Sequence, residues 1–133
     1  MLPEPYRLHH RSDFSRTVRH GRRLGRRDLV VHVLLASDVP VRFGGPRFGL
    51  IVSKAVGNAV IRHRVARRLR HMCGPLIDEL PEEADVVIRA LPGAAHAPAA
   101  DLERQLRGAL RKLVPNVAVA EPVSAAPESG GTS

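Results

Sequence analysis

The sequence has no tryptophan, one tyrosine and three phenylalanines in 133 residues, so any platform it offers for ring or base stacking is thin. Cysteine occurs once, as Cys73, which excludes an internal disulfide and any multi-cysteine zinc site and suits a reducing compartment. No apolar run approaches the roughly 20 residues that span a bilayer. The opening MLPEPYRLHHRSDF lacks the apolar stretch of a secretory signal. These absences lead us to expect a cytoplasmic chain with no membrane partner. Lysine is scarce as well, with only Lys54 and Lys112 among 21 basic residues. Because Ala, Gly and Pro are plentiful, the preference for arginine reflects coding bias as much as chemistry.

Negative charge is missing from the first part of the chain. Residues 1–74 hold 16 Lys/Arg against 4 Asp/Glu, and residues 75–133 hold 5 against 9, within an overall formal charge of +8. Such a balance points first to a polyanionic partner, met by the basic part. The length suits one domain with a modest core.

Ser12 reads as the N-cap of a first helix from Asp13 to His20, stopped by Gly21, with Phe14 and Val18 sharing a face at i and i+4. Asp28 to Leu35 is rich in β-branched residues. The polar, Gly/Pro-punctuated stretch from Ser37 to Pro46 joins it to a second strand, Arg47 to Ser53, and the two read as an antiparallel pair. Asn58 is a candidate N-cap for a helix from about Ala59 to Cys73, which Gly74-Pro75 ends or kinks. Asp78 to Glu83 is a polar link, Asp85 to Leu91 a third strand, and Pro92 to Pro98 a loop. Ala100 to Leu113 is a last helix, with Leu102, Leu106 and Leu110 as its apolar stripe. From Pro115 onward the mix of Ala, Pro, Glu, Ser and Gly reads as a disordered tail, which leaves residues 1–114 as the domain. The order α-β-β-α-β-α, with room for one further short strand, is that of a small α+β layer in which helices cover one sheet face.

On a wheel of about 100 degrees per residue, Ile61, Val65, Leu69 and Met72 fall within about 80 degrees of one another and face the core. His63, Arg64, Arg67, Arg70 and His71 fall opposite, with Arg62 and Arg68 at the borders, and no acidic residue lies between Arg47 and Asp78. A solvated polar face is the ordinary reading of a charged helix, but such faces mix signs. Like charges at i, i+3 and i+4 repel by a few tenths of a kcal/mol per pair, so a single-sign face is destabilising until a polyanion settles on it. Just upstream, Ser53-Lys54-Ala55-Val56-Gly57-Asn58 sets a lysine and a flexible turn before a helix N-terminus. That is either a phosphate site or an ordinary loop with an Asn cap.

Catalytic constellations fail. No pair among His9, His10, His20 and His71 has zinc-type spacing with further ligands. Asp78, Glu79, Glu82, Glu83 and Asp85 crowd one polar linker, where a nuclease needs carboxylates converging from separate elements. They read as keeping that side soluble and repelling RNA. Cys73, near the apolar border of its helix, reads as a small core residue rather than a nucleophile. Gly44-Gly45-Pro46 needs only a turn.

The run Phe48-Gly-Leu-Ile-Val-Ser-Lys-Ala-Val-Gly-Asn-Ala-Val-Ile-Arg-His-Arg-Val-Ala-Arg-Arg-Leu-Arg70 resembles the signature of the protein subunit of bacterial ribonuclease P. Arg7-Leu8, Asp13-Phe14, His20-Gly21, Asp85-Val-Val-Ile-Arg89 and the final helix fit as well, so the resemblance spans about residues 6–113. It implies a small α/β sandwich with a mostly antiparallel sheet and a left-handed βαβ crossover, against the usual hand. It also implies that the chain joins a catalytic RNA to remove the 5′ leader of precursor tRNA. The active site is then expected on the RNA, with Mg²⁺ held chiefly by that RNA.

The RNA-binding set of the arginine helix is Lys54, Asn58, Arg62, His63, Arg64, Arg67, Arg68 and Arg70, and the family's basic motif falls on Arg62, His63 and Arg64. In many relatives the middle residue of the Arg62-His63-Arg64 motif is Asn. An imidazole there still donates a hydrogen bond or stacks. The leader is expected in a cleft between the first helix and the open sheet face, at Arg11, Phe14, Val18 and His32. Relatives often have aromatics at the last two of these positions, and valine has no stacking plane.

A ribosomal or other structural RNA-binding protein without a processing role would share the charge, size and arginine helix. A DNA regulator lacks a second half-site reader, and a self-sufficient ribonuclease lacks an acid-base pair. A membrane-surface helix lacks an aromatic anchor.

Overall fold

A computed structural model of the chain describes residues 6–8, 10–35 and 45–114. The elements are helix α1 (Arg11–His20), strands β1 (Arg22–Gly25), β2 (Leu29–Leu35) and β3 (Arg47–Ile51), helix α2 (Ala59–Leu76), strand β4 (Ala84–Ala90), a short 3-10 turn at Pro92–Ala95, and helix α3 (Ala99–Leu113). The tail expected from Pro115, His9 and most of the Ser37–Pro46 connection fall outside the described residues.

The four strands lie in the order β1-β2-β4-β3. Two of the three pairings, β1 with β2 and β2 with β4, are antiparallel, and β3 runs parallel to β4. Here the structure corrects one expectation: the strands beginning near residues 29 and 47 do not pair, because β4 is inserted between them. Its residues explain why. Ala84 and Asp85 to Ile88 are all fully buried, as befits a central strand covered on both faces.

Alternation sorts each strand's residues between two layers. Leu29, Val31 and Val33 of β2 and Val86, Ile88 and Ala90 of β4 belong to the main core, which α2 and α3 close with Val65, Leu69, Leu76, Leu102, Leu106 and Leu110. Burying a side chain of this size contributes about 1.5 to 3 kcal/mol. The intervening residues face the other way, where α1 packs across β2 and β4. That side is therefore partly covered rather than open along its whole length.

Helix ends depart from the sequence reading in two places. The N-cap of α1 is His10, not Ser12, and it makes no side-chain cap bond. Asp13 lies in the first turn with either start, where the helix dipole favours a carboxylate. Helix α2 runs through Gly74-Pro75 to Leu76. Pro75 removes one hydrogen bond in the final turn, and continuing as helix carries Leu76 into the core with no exposure.

Candidate nucleic-acid interface

Helix α2 begins as its sequence dictates. The Asn58 side chain accepts a hydrogen bond from the Ile61 amide at 3.0 Å, a cap worth about 1 kcal/mol. Gly57, with φ of 157°, brings the chain in so tightly that a Cβ there would lie 2.9 Å from Ile61. Lys54 stands exposed in the preceding turn. The apolar stripe packs inward through Val65, Leu69 and Met72, while Ile61 is half-buried at the core's margin.

The outward face carries exposed His63, Arg64, Arg67, Arg70 and His71, with Arg62 and Arg68 half-buried at its borders. Among the described residues none of these five arginines forms an ion pair. The buried Nε of Arg62 has no hydrogen-bond partner. Two depressions flank the helix. One, about 280 Å³, lies toward β3 between Leu50, Val52, Arg62, His63, Ala66 and Arg70. The other, about 740 Å³, lies toward α3, with Arg64, Arg67, Arg68 and His71 around an apolar floor of Met72 and Pro75. Guanidinium groups left without ion-pair partners in this way are chemically suited to phosphate, with room at their sides for sugar or base.

The residues expected in a leader cleft belong to the other side of the sheet. Arg23, His32, Val87 and Gly49 are successive register partners and so form one row across the four strands. Half-buried Phe14 of α1 lies on this row: a Cβ placed on Gly49 would sit 2.5 Å from two carbons of its ring. Gly49 thus makes the seat for the aromatic ring. Arg11 is exposed at the start of α1, and Val18 is 39% exposed. His32 differs from an exposed stacking plane, being only 2% exposed, with its Nδ1 buried and unpartnered. The structure therefore brings Phe14 and Val18 to an accessible α1 edge and leaves His32 beneath it.

Burial, followed by the nearby positive charges of Arg23 and Arg89, pushes the His32 pKa below its ordinary 6.5. Below about pH 6.5 the unfolded chain takes up a proton that folded His32 resists, so stability is present above that pH and lost on acidification. Thermal melts between pH 7.5 and 5 are expected to decline more steeply for the parent than for His32→Gln. Parallel declines would remove His32 as the cause.

A group that the sequence reading missed joins α1 to the sheet. Asp85 is not part of the acidic linker; it is fully buried on β4. Its carboxylate accepts two hydrogen bonds from Arg47, at 3.0 and 2.9 Å, and lies 3.7 Å from Arg16. Asp13 of α1 meets the same two arginines at 3.4 and 3.6 Å. Only Asp78, Glu82 and Glu83 remain exposed in the acidic stretch, since Glu79 pairs with buried Arg107 at 3.0 Å. Cys73 is fully buried, and burial pushes its thiol up to about 12, which is the state of a core residue.

Among the described residues no three His, Cys, Asp or Glu side chains converge in a way that would hold a metal ion. Nor is any helix among them long and apolar enough to cross a membrane.

Comparison with known proteins bears on this pair of surfaces. The family model described as Ribonuclease P matches residues 2–114. The chain is 65% identical to the ribonuclease P protein component of Nocardia farcinica, over 85% of this chain and 83% of that one. It is 67% identical to that of Rhodococcus opacus, over 85% and 92%. A solved ribonuclease P protein from Staphylococcus aureus matches with a TM-score of 0.67 at 26% identity, over 85% of this chain and 93% of that one. The one from Thermotoga maritima matches in fold, with a TM-score of 0.66 at 20% identity, over 80% and 96%.

Proposed function

This chain belongs to the family of bacterial ribonuclease P proteins, and from that premise we infer what its two surfaces do. As the protein component of ribonuclease P it serves 5′-end maturation of tRNA within an endoribonuclease ribonucleoprotein. A structural RNA-binding role without processing is not favoured, since the family match spans residues 2–114. The outward face of α2 takes phosphates of the catalytic RNA, and the α1 edge of the sheet takes the unpaired leader of precursor tRNA. The single observation carrying the first assignment is a helix face of arginines with no ion-pair partner among the described residues. The second rests on Phe14, an aromatic ring seated at the sheet's edge.

The side chains present do not fit a resident Mg²⁺, because no suitable cluster of ligands exists among the described residues. On this reading Mg²⁺ is held chiefly by the partner RNA, and this chain's contribution is binding and orientation. A cytoplasmic location suits this partnership with RNA, as does the presence of a single cysteine.

Reconstitution tests this reading. The purified chain alone is expected to leave precursor tRNA intact, and adding it to the cognate catalytic RNA at low Mg²⁺ is expected to restore 5′-specific cutting. Metal-dependent cleavage at the same bond by protein free of RNA would overturn it.

The α2 assignment has its own measure. Arg64→Ala and Arg67→Ala each remove an exposed charge opposite the apolar stripe, so the melting temperature should hold. The slope of log affinity against log salt should become shallower by roughly 0.7 to 0.9 for each phosphate that is no longer neutralised. An unaltered slope in both variants counts against phosphate binding at these positions.

A further inference from the structure

Arginines also gather at the far edge of the sheet. From Arg19 to Arg27 the chain holds five arginines and one histidine and no carboxylate. They flank or occupy β1, which is the edge strand farthest from β3. Among the described residues Arg19, Arg22, Arg23 and Arg26 form no ion pair. Arg22 has a structural reason for its place: it donates to the Leu113 carbonyl at 3.3 Å, at the negative end of α3. Arg26 has none of that kind. Its Nε is buried without a hydrogen-bond partner, and its guanidinium lies over Gly108, where a Cβ would be 3.0 Å from Arg26 Nη2 and 3.8 Å from Arg111 Nη2. Arg26 thus holds a charge over a helix glycine with no ion-pair partner among the described residues.

Beside this point lies a depression of about 360 Å³ lined by Arg26, Arg27, Asp101, Arg104 and Gln105. Asp101 pairs with Arg104 along its α3 wall, so Arg26 and Arg27 leave it net positive. Arg27 is 76% exposed and reaches Asp28 only at 3.5 Å. No Phe, Tyr or Trp occurs within residues 15–35 or 99–114, so the surface lacks stacking platforms for unpaired bases and offers contacts to a phosphate backbone. It lies across α3 from the groove beside the arginine helix. One flank of α3, at Ala99, Ala100 and Glu103, borders the groove beside α2, and the other borders the Arg26/Arg27 depression.

We propose that the β1–α3 edge, centred on Arg26 and Arg27, is a second phosphate-binding surface for the same catalytic RNA that α2 takes. The proposal rests on the function assigned above. It makes the helical layer a basic surface with two anchoring ends, and it leaves the leader to the Phe14 side.

The test is the salt dependence of catalytic-RNA binding by the full chain, with no tRNA present. Arg26→Gln/Arg27→Gln should flatten the slope by roughly 1.4 to 1.8 log units per log unit of salt, two phosphates' worth. Arg26→Lys/Arg27→Lys should retain most of the parent slope. In the assembled holoenzyme, the ratio of precursor to mature tRNA affinity should not move. A parent-like slope in the Gln double variant, alongside a flattened one in Arg64→Ala/Arg67→Ala, would overturn this proposal and leave the α2 assignment standing. If neither pair changes the slope, both fail. An effect confined to tRNA affinity also overturns it. Should the double variant melt early, Arg27→Gln alone decides: it must flatten the slope by about half as much at an unchanged melting temperature.

Discussion

Asp85→Ala is expected to destabilise the fold by about 3 kcal/mol, the lower end of the 3 to 5 kcal/mol range for breaking a buried ion pair. The carboxylate is fully buried, while the Arg47 side chain it holds is 20% exposed and keeps Asp13 at 3.4 Å. The stranded guanidinium is therefore partly compensated, which argues against the top of the range. For a domain of this size the fall in melting temperature would be on the order of 10 °C or more. Arg47→Met/Asp85→Leu, which removes both charges, should recover much of the loss, because the destabilisation lies in the unpaired charge rather than in the missing attraction. A loss below about 1 kcal/mol for Asp85→Ala, read from urea melts, refutes the clamp.

Phe14→Ala should separate precursor from mature tRNA. Base stacking on an aromatic ring is worth roughly 1 to 3 kcal/mol, so holoenzyme affinity for precursor should fall about 5- to 150-fold. Mature tRNA and catalytic RNA supply no leader bases, and their binding should change little. The ring is half-buried over Gly49, so truncation also removes packing, though less than the 3 to 5 kcal/mol of a fully buried Phe. The alternative outcome is equally legible. If Phe14 serves only the core, affinities for both tRNAs fall together with the melting temperature. Gly49→Ala offers a companion variant, since its Cβ would displace the Phe14 ring without deleting it.

Helix α2 was readable from sequence because its information is local. Asn58, the Ile61-Val65-Leu69-Met72 stripe and the run of arginines lie within one stretch of chain, and each acts at helical spacing. The same holds for α3 and its leucines. What escaped was non-local or weakly patterned. Strand β1 is four residues long and mostly exposed, so it has no apolar alternation to betray it. The insertion of β4 between β2 and β3 is a pairing choice made across dozens of residues. Asp85 resembled its acidic neighbours in the linker because nothing near it in sequence reveals Arg47, its register partner 38 residues earlier. Likewise His32 read as a surface ring, since the packing of α1 across β2 is not written in the residues around it. The Ser12 cap misled for a smaller reason: a good capping residue two positions past the actual N-cap, inside the first turn, is simply an exposed serine.

The order of the sheet sets a timetable for synthesis. The central strand, β4, is the last of the four to be made, and β2 and β3 have no neighbour on that side until Ala84–Ala90 leaves the ribosome. Until then α2 has neither a finished sheet beneath it nor α3 beside it. Pairings of such sequence separation also slow closure. A nascent chain stalled before residue 84 thus carries every arginine of α2 on an unanchored segment that attracts any RNA nearby, the ribosome's own included. Only once β4 pairs with both β2 and β3 does that arginine face gain the fixed support of a finished sheet.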